Sequence, residues 1–389
     1  MKILVISPAF PPISSVGVVR MASLTAYLVK EGHEVTVICD EPTSQNSNGN
    51  DIYIPDRVSI IRVPFGIKEN SNRTILYKNI VETLLNAKNY DVALITVGPY
   101  YTLRFCYKVF LKYGIKYILD FRDVGAFEHI KRTNVFRFVK IIASRIFEGY
   151  FEYRSIANAE YVVSVTEGWK TKKQNDYRLF RNKMLCIENG YDSERLKDFK
   201  LFTHKSNHKI AIMGKLAYYS EYYAKVLFEA LKAVFPLYED AIFMHICDRE
   251  EAVYKIMEQL EFDTKCYCVT GFMDYLQGMK MLAESSINII VDDRKEAMGT
   301  KVYDYLYLNR PIIYIGRPNT ALSNFICQFE YGFVCTTIEE VSQTIKFIFD
   351  NKITILDSKY VKEDYSREHQ NEKYKNLLED IANGDDING

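Results

Sequence analysis

Ile287-Asn288-Ile289-Ile290-Val291, then Asp292-Asp293-Arg294-Lys295-Glu296-Ala297-Met298-Gly299-Thr300, then Lys301-Val302-Tyr303-Asp304-Tyr305-Leu306: this stretch changes character twice. The opening run is short, apolar and rich in β-branched residues, which reads as a strand buried on both faces. The middle is polar, and the last segment opens a helix. Strand, loop and helix in that order make one step of a parallel α/β sheet. In such sheets ligands bind at the carboxyl ends of the strands, where this loop falls. The helix N-terminus turns N–H groups and the positive end of its dipole toward that point, a setting that attracts phosphate. Gly299 lets the backbone come close to a ligand. Lys301 can supply positive charge to a diphosphate. Asp304 lies one turn further along the same helix, within reach of sugar hydroxyls. A capped surface helix with Lys301 and Asp304 solvated would use the same residues.

The same alternation runs outward in both directions. Strand-like runs fall at 3–7, 34–39, 58–64, 91–97, 116–121, 161–166 and 184–188, with helix-length stretches at 17–31, 74–88, 100–113 and 134–158 between them. The pattern restarts at 209–213, an apolar run ending in Gly214 that resembles the start of the chain. Strands follow at 241–247, 267–270, 287–291, 311–315 and 332–335, with helices at 221–235, 250–260, 273–284, 300–308, 319–328 and 338–349. Short strands alternating with helices predict parallel sheets covered on both faces. Two successive series predict two doubly wound α/β domains, the count that 389 residues suggest. The expected boundaries are 1–190 for the first domain, 191–207 for a polar linker and 208–357 for the second domain. A charged surface helix at 358–382 is expected to pack back toward the first domain.

Composition narrows the function classes. Hydrophobic residues make up 48% and charged residues 26%, as in an ordinary soluble globular protein. Lys+Arg and Asp+Glu balance at 50 each, yet residues 1–200 hold 29 basic against 21 acidic and residues 201–389 the reverse. That asymmetry suits an anionic partner for the first half, or attraction between the halves themselves. The stretch 131–147 alternates basic and apolar residues at helical spacing. It fits a helix lying on an anionic membrane surface, or a core-packed helix with a wet basic face. No apolar run reaches the roughly 18 residues needed to span a bilayer. Ile3-Leu4-Val5-Ile6-Ser7, closed by Pro8, is too short for a signal-peptide core, so a cytoplasmic place is expected, peripheral on the inner face of a membrane if the basic helix binds there. The eight Cys show no zinc-type spacing and read as reduced thiols. Asp292-Asp293 reads as a solvated pair rather than a metal site, so no metal and no cofactor are expected. The absence of Gly-x-Gly-x-x-Gly after the first strand argues against a nicotinamide dehydrogenase, and no P-loop is present. Nucleic acid is not among the expected partners. His33 reads as structural, and His129 as an acid/base candidate.

An acidic residue, seven intervening residues and a second acidic residue, before an apolar helix and a Pro-led strand, resemble the retaining glycosyltransferases of family 4. Here these are Glu296, Asp304 and Pro311. Within the family, the branch with an Asp-Phe-Arg-Asp type motif is the most similar, through Asp120-Phe121-Arg122-Asp123 and Lys301-Val302-Tyr303-Asp304-Tyr305-Leu306. Other segments agree in order: Ser7-Pro8-Ala9-Phe10-Pro11-Pro12 with Gly17 and Arg20, Glu31-Gly32-His33-Glu34-Val35-Thr36-Val37, Thr96-Val97-Gly98-Pro99, Asn189-Gly190, Met213-Gly214-Lys215-Leu216 and Thr270-Gly271-Phe272. The resemblance runs from Met1 to about residue 370. It implies the GT-B fold, two facing Rossmann-like doubly wound domains with a deep cleft between them, the first binding the acceptor and the second the nucleotide-sugar donor.

By that resemblance Glu296 faces the donor sugar, Asp304 binds the ribose hydroxyls, and Gly17, Gly214, Lys215, Gly271, Phe272, Gly299 and Lys301 complete the donor site. Arg20, Asp120, Arg122 and Asp123 hold the acceptor. Glu296, Lys301, Lys215 and Asp123 are the expected catalytic set. Three departures stand out: Asp304 replaces the usual Glu, the paired glycines of the first loop are reduced to Gly17, and a second Lys after Lys215 is missing, its place taken by Tyr218-Tyr219-Ser220-Glu221-Tyr222-Tyr223. The implied activity is retaining transfer of a sugar from a UDP- or GDP-sugar to a glycan or lipid-linked acceptor, in bacterial surface polysaccharide assembly. A nucleotide-sugar epimerase of the same fold and a non-catalytic partner subunit are the alternatives.

Overall fold

The computed structural model describes residues 1–13, 16–43, 52–64, 70–122, 135–200 and 207–384. The chain divides into two compact units. Unit 1 is Met1–Asn189 with Arg367–Gly389, and unit 2 is Gly190–Ser366.

In unit 1 the described strands are β1 (Lys2–Ile6), β2 (Glu34–Asp40), β3 (Ser59–Val63), β4 (Val92–Val97), β5 (Tyr117–Phe121), β6 (Tyr161–Ser164) and β7 (Met184–Cys186). They form one parallel sheet in the order β3-β2-β1-β4-β5-β6-β7. Between them run α1 (Val16–Lys30), α2 (Asn70–Ala87), α3 (Leu103–Tyr113), α4 (Val135–Asn158) and α5 (Glu167–Asp176). Successive side chains of β1 point to opposite faces. Ile3 and Val5 join the core that holds Leu24 and Leu28 of α1, while Leu4 and Ile6 join the core that holds Val109 and Phe110 of α3. A strand covered on both faces must be apolar throughout, which is why these runs were conspicuous in the sequence. Each fully buried aliphatic residue contributes roughly 1.5–3 kcal/mol.

Unit 2 contains α6 (Ser193–Leu196), β8 (Lys209–Met213), α7 (Glu221–Val234), β9 (Ile242–Ile246), α8 (Glu251–Gln259), β10 (Tyr267–Val269), α9 (Tyr275–Ala283), β11 (Ile287–Val291), α10 (Lys301–Leu308), β12 (Ile312–Ile315), α11 (Ala321–Ile326), β13 (Gly332–Cys335) and α12 (Ile338–Asp350). Its sheet is also parallel, in the order β10-β9-β8-β11-β12-β13. The closing helix α13 (Arg367–Asn383) belongs to unit 1, where Tyr374, Leu378 and Ile381 fill the core on the α1 side of the sheet.

The structure departs from the sequence reading in three places. The stretch expected as a linker is counted with unit 2 from Gly190 onward, because the Tyr307 hydroxyl donates to the carbonyls of Leu196 (3.0 Å) and Phe199 (3.2 Å). Residues 358–366 are not helical beyond a short 3-10 turn at Lys362–Tyr365, and Tyr191 instead bridges Ser366. Helix α5 was not anticipated. Its residues are mostly polar, so it lacks an apolar stripe, and it starts because the Thr166 side chain caps the Trp169 N–H.

Candidate functional site

Unit 2 carries its switch point between β8 and β11, where the strand order reverses and a parallel sheet opens a crevice. The two strands pair at Ile210–Ile287 and Ala211–Asn288. Further along, Tyr305 of α10 is wedged in. Its hydroxyl accepts from the Met213 N–H (3.0 Å) and donates to the Ile289 carbonyl (3.3 Å). The loops after β8 and β11 therefore rise on either side of a buried tyrosine.

The loop after β8 is a fixed turn. Gly214 has φ +85°, a left-handed conformation that glycine tolerates without strain, and its N–H donates to the Ile246 carbonyl (2.9 Å). The Gly214 carbonyl lies 3.0 Å from Nε2 of His245, and Nδ1 of that ring lies 2.8 Å from the Tyr267 hydroxyl. The consistent assignment has Nε2–H donating to Gly214 and Tyr267 donating to Nδ1. Burial lowers the His245 pKa, with the Gly214 carbonyl opposing it, so the ring is neutral at pH 7. The Glu250 carboxylate accepts from the Leu216 N–H (2.6 Å), and Lys301 Nζ donates to the Lys215 carbonyl (3.2 Å). With its backbone held on both sides, the turn presents an exposed Lys215 side chain. Beside it opens a cavity of about 400 Å³ lined by Lys215, Tyr218, Arg249 and Glu250 among others. His245 and Glu250 were missed by the sequence reading. The available signal was a histidine among apolar residues at the carboxyl end of a strand.

Lys215, Gly214, Lys301 and Gly299 thus gather at one place. A Cβ on Gly214 would lie 3.9 Å from Lys301 Nζ, and one on Gly299 would lie 3.9 Å from Nη2 of Arg294. Burial draws the Lys301 pKa down to about 8, against the pull of the Asp292 carboxylate. Asp304 sits one turn along α10 and accepts from the Tyr275 hydroxyl (2.6 Å). Glu296 is partly buried, with Lys295 Nζ 3.5 Å from its Oε1. On the loop after β10, Gly271 has φ +77°, and Phe272 is 88% exposed with its N–H on Oδ1 of Asp248 (2.8 Å).

Unit 1 sorts its expected acceptor residues into two groups. Arg122, at the end of β5, lies across the first turn of α1. A Cβ on Gly17 would fall 1.9 Å from Arg122 Nη1, so a side chain there would have to displace the guanidinium. Arg122 Nη2 also donates to the Thr96 hydroxyl (3.4 Å). Arg20 and Asp120, expected at the acceptor, point their polar atoms at partners within unit 1. Both are buried, at 7% and 0% exposure. Arg20 donates to Asp120 Oδ1 (3.4 Å), to the carbonyls of Ile187 and Glu188 (2.6 Å each) and to the Tyr374 hydroxyl (2.8 Å), and that hydroxyl lies 2.5 Å from Asp120. The pair fastens α13 and the chain after β7 to the sheet. Asp123, His129 and most of the basic stretch 131–147 lie outside the described residues or side chains.

Potential metal-ligand atoms of His245, Cys247 and Glu250 lie within 4.8 Å of one another. Their chemistry does not suit a metal. Both His245 nitrogens are engaged, Glu250 holds a backbone N–H, and burial raises the Cys247 pKa, whereas a metal needs the thiolate. The ammonium groups of Lys215 and Lys301 add positive charge at the same place.

Residues 17–195 match the profile of Glycosyltransferase Family 4. In three dimensions the chain is similar to a glycosyltransferase from Rickettsia africae (TM-score 0.67, 17% identity, covering 98% of each chain). It is also similar to HepE of Anabaena in complex with UDP (TM-score 0.67, 12% identity, 97% of this chain and 100% of that one). A UDP-GlcNAc 2-epimerase from Methanocaldococcus jannaschii is a further structural relative (TM-score 0.58, 13% identity, 97% and 99%). Comparison with curated protein sequences gives no match. The class that emerges is a glycosyltransferase-like GT-B fold of two parallel-sheet α/β domains, a fold that the nucleotide-sugar epimerase shares.

Proposed function

We propose that this chain is a retaining glycosyltransferase that uses a UDP- or GDP-sugar donor and a glycan or lipid-linked acceptor. The observation that carries the reading is the pair of cations, Lys215 and Lys301, set around the Gly214 turn at the switch point of unit 2. In glycosyl transfer the bond from the anomeric carbon to the diphosphate breaks, and negative charge gathers on the departing phosphate. Fixed ammonium groups and backbone N–H groups stabilise that charge. At neutral pH Lys301 is mostly protonated, and a phosphate beside it raises its pKa further. Glu296 faces the sugar, Asp304 the ribose, and Phe272 with Gly271 the base. The acceptor oxygen bonds the anomeric carbon on the face the diphosphate leaves, and its proton passes to the departing phosphate oxygen. Arg122 and Asp123 orient the acceptor, while Arg20 and Asp120 hold the scaffold behind them. The reaction so written needs no metal, and activity should survive chelation.

The setting fits assembly of a bacterial surface polysaccharide on the inner face of a membrane. Among the described residues no helix is long and apolar enough to cross a membrane. The exposed Ile146, Phe147 and Tyr150 of α4, next to the basic stretch, support peripheral attachment. Binding to anionic vesicles at low salt tests this, and equal binding to neutral vesicles would remove it.

The test of the main reading is thermal stabilisation by UDP-, GDP-, ADP- and CMP-sugars, followed by transfer assays that report the anomeric configuration of the product. Stabilisation by one nucleotide class, lost in Lys301→Ala, with a retained anomeric centre, is the expected result. Turnover near wild type in both Lys301→Ala and Glu296→Gln would sink it. The likeness to an epimerase supports a second reading. An epimerase would interconvert the nucleotide-sugar with no acceptor added.

A further inference from the structure

The donor site as read above lacks a second basic residue on the loop after β8, where Tyr218 to Tyr223 is rich in tyrosine. We propose that Arg294, from the loop after β11, supplies the missing diphosphate contact, with Tyr219 as the floor on which it rests. The inference deepens the proposed function and rests on unit 2 being the donor site.

The geometry is that of a held but open guanidinium. Arg294 Nε lies 2.9 Å from Oδ1 and 3.2 Å from Oδ2 of Asp292, and Nη2 lies 2.5 Å from Oδ2. Asp292 is 3% exposed and also accepts the Arg294 N–H (3.0 Å), so the anchor belongs to the rigid end of β11. One edge of the guanidinium is thereby fixed, while the side chain remains 41% exposed. Its plane lies over the Tyr219 ring, 4.3 Å from the centroid, and Lys301 Nζ lies 5.8 Å from the same centroid. Two cations from different elements therefore share one aromatic ring, which favours positive charge above its face.

Both cations border glycines, Arg294 at Gly299 and Lys301 at Gly214, so an anion can reach them together with the bare backbone. The pair neutralises the nearly buried Asp292 carboxylate, and the half-exposed guanidinium keeps an open edge beyond it. A guanidinium carries five N–H donors in a rigid fork, so donors beyond those facing its carboxylate stay at fixed positions and can take a phosphate oxygen. Tyr219, on the loop after β8, holds the guanidinium in position through its ring.

The experiment measures binding of UDP, GDP, ADP and inorganic pyrophosphate by calorimetry to the full chain, its Arg294→Gln, Arg294→Lys and Tyr219→Ala variants, and Lys301→Ala. Melting temperatures are recorded alongside. We expect Arg294→Gln to weaken the bound nucleoside diphosphate by about ten- to a hundredfold, the usual effect of losing a charged hydrogen bond. Arg294→Lys should recover part of that loss, and Tyr219→Ala should weaken binding less than Arg294→Gln. If Arg294→Gln proves unstable, Arg294→Lys and Tyr219→Ala decide. Wild-type affinity in the Arg294 variants, with Lys301→Ala impaired, overturns this inference and leaves the donor site standing. Failure of the wild-type chain to bind any nucleoside diphosphate overturns both.

Discussion

Arg20 in unit 1 and Lys301 in unit 2 are both cations near the carboxyl ends of parallel strands, and the fold treats them oppositely. Arg20 is neutralised by Asp120, and its donors end on the carbonyls of Ile187 and Glu188 and on the Tyr374 hydroxyl. Lys301 donates to the Lys215 carbonyl, lies over Tyr219 with Arg294 nearby, and its pKa falls to about 8. A buried cation with its charge matched holds structure together. A cation whose desolvation outweighs the pull of nearby carboxylates raises the energy of the unliganded protein and favours an anion beside it. On the proposed function Arg20 holds the fold and Lys301 meets the donor, and each role can be broken separately.

The largest effect should come from Asp120→Ala. It leaves the Arg20 guanidinium buried without its carboxylate and strips a partner from Tyr374, which should cost about 3–5 kcal/mol of stability. Urea denaturation reads the loss, and α13 should become protease-sensitive first. If the variant is as stable as wild type, the cluster is not the fastener described. Lys301→Met is the converse. It should lower turnover by about a hundred- to a thousandfold, the scale for losing one group that stabilises developing charge. Its melting temperature should hold or rise, because a cation whose pKa desolvation lowers is removed. A large drop in melting temperature would place Lys301 among the structural cations with Arg20.

Much of this organisation was legible beforehand. All the strands described here were anticipated to within about two residues, because the central ones are buried on both faces and read as mostly apolar runs between polar loops. The placement of Gly214, Lys215, Gly299 and Lys301 in loops at strand ends and at a helix start was legible too, since the strand-to-helix alternation fixes it. The buried partnership of Arg20 and Asp120 was not legible, for a physical reason. They are 100 positions apart, and a charged side chain reads alike whether it meets a ligand or a buried partner. Tyr305 and His245 were hidden in another way. Each looks like a core residue by pattern, and only the packing shows that their polar atoms hold Met213 and Gly214. Gly17 was expected in the donor site by resemblance, and the neighbour that lies against it is Arg122.

Tyr305→Phe sharpens the comparison from below the site. It keeps the ring but removes the hydroxyl that accepts the Met213 N–H and donates to the Ile289 carbonyl. An unsatisfied buried group costs about 1–3 kcal/mol, so stability should fall by that much. Because Met213 precedes the Gly214 turn, affinity for a nucleoside diphosphate should fall as well, by less than in Lys301→Met. A stability loss with affinity intact would show that the turn is held by His245 and Glu250 alone.

The smallest effect is a pH dependence, and its sign is the most diagnostic part. The Lys301 pKa is lowered on folding from 10.5 to about 8, so between those values the unfolded chain holds more protons than the folded one. Stability from this group therefore rises as pH increases through that window. Binding runs the other way. A diphosphate prefers the ammonium, so affinity should fall as pH rises through about 8, by about tenfold between pH 7 and pH 9. Asp292, Arg294, Cys247 and Glu250 act on Lys301 electrostatically. Arg294 keeps its charge in this range, since its pKa is raised, and burial holds the Cys247 thiol above its ordinary value. Calorimetry at several pH values, paired with denaturation at the same values, separates the two slopes. Both should vanish in Lys301→Met, while Asp120→Ala should leave the binding slope untouched. Slopes of the same sign, or a binding slope that survives in Lys301→Met, would mean that a different group carries the proton and that the contrast between the two cations is drawn in the wrong place.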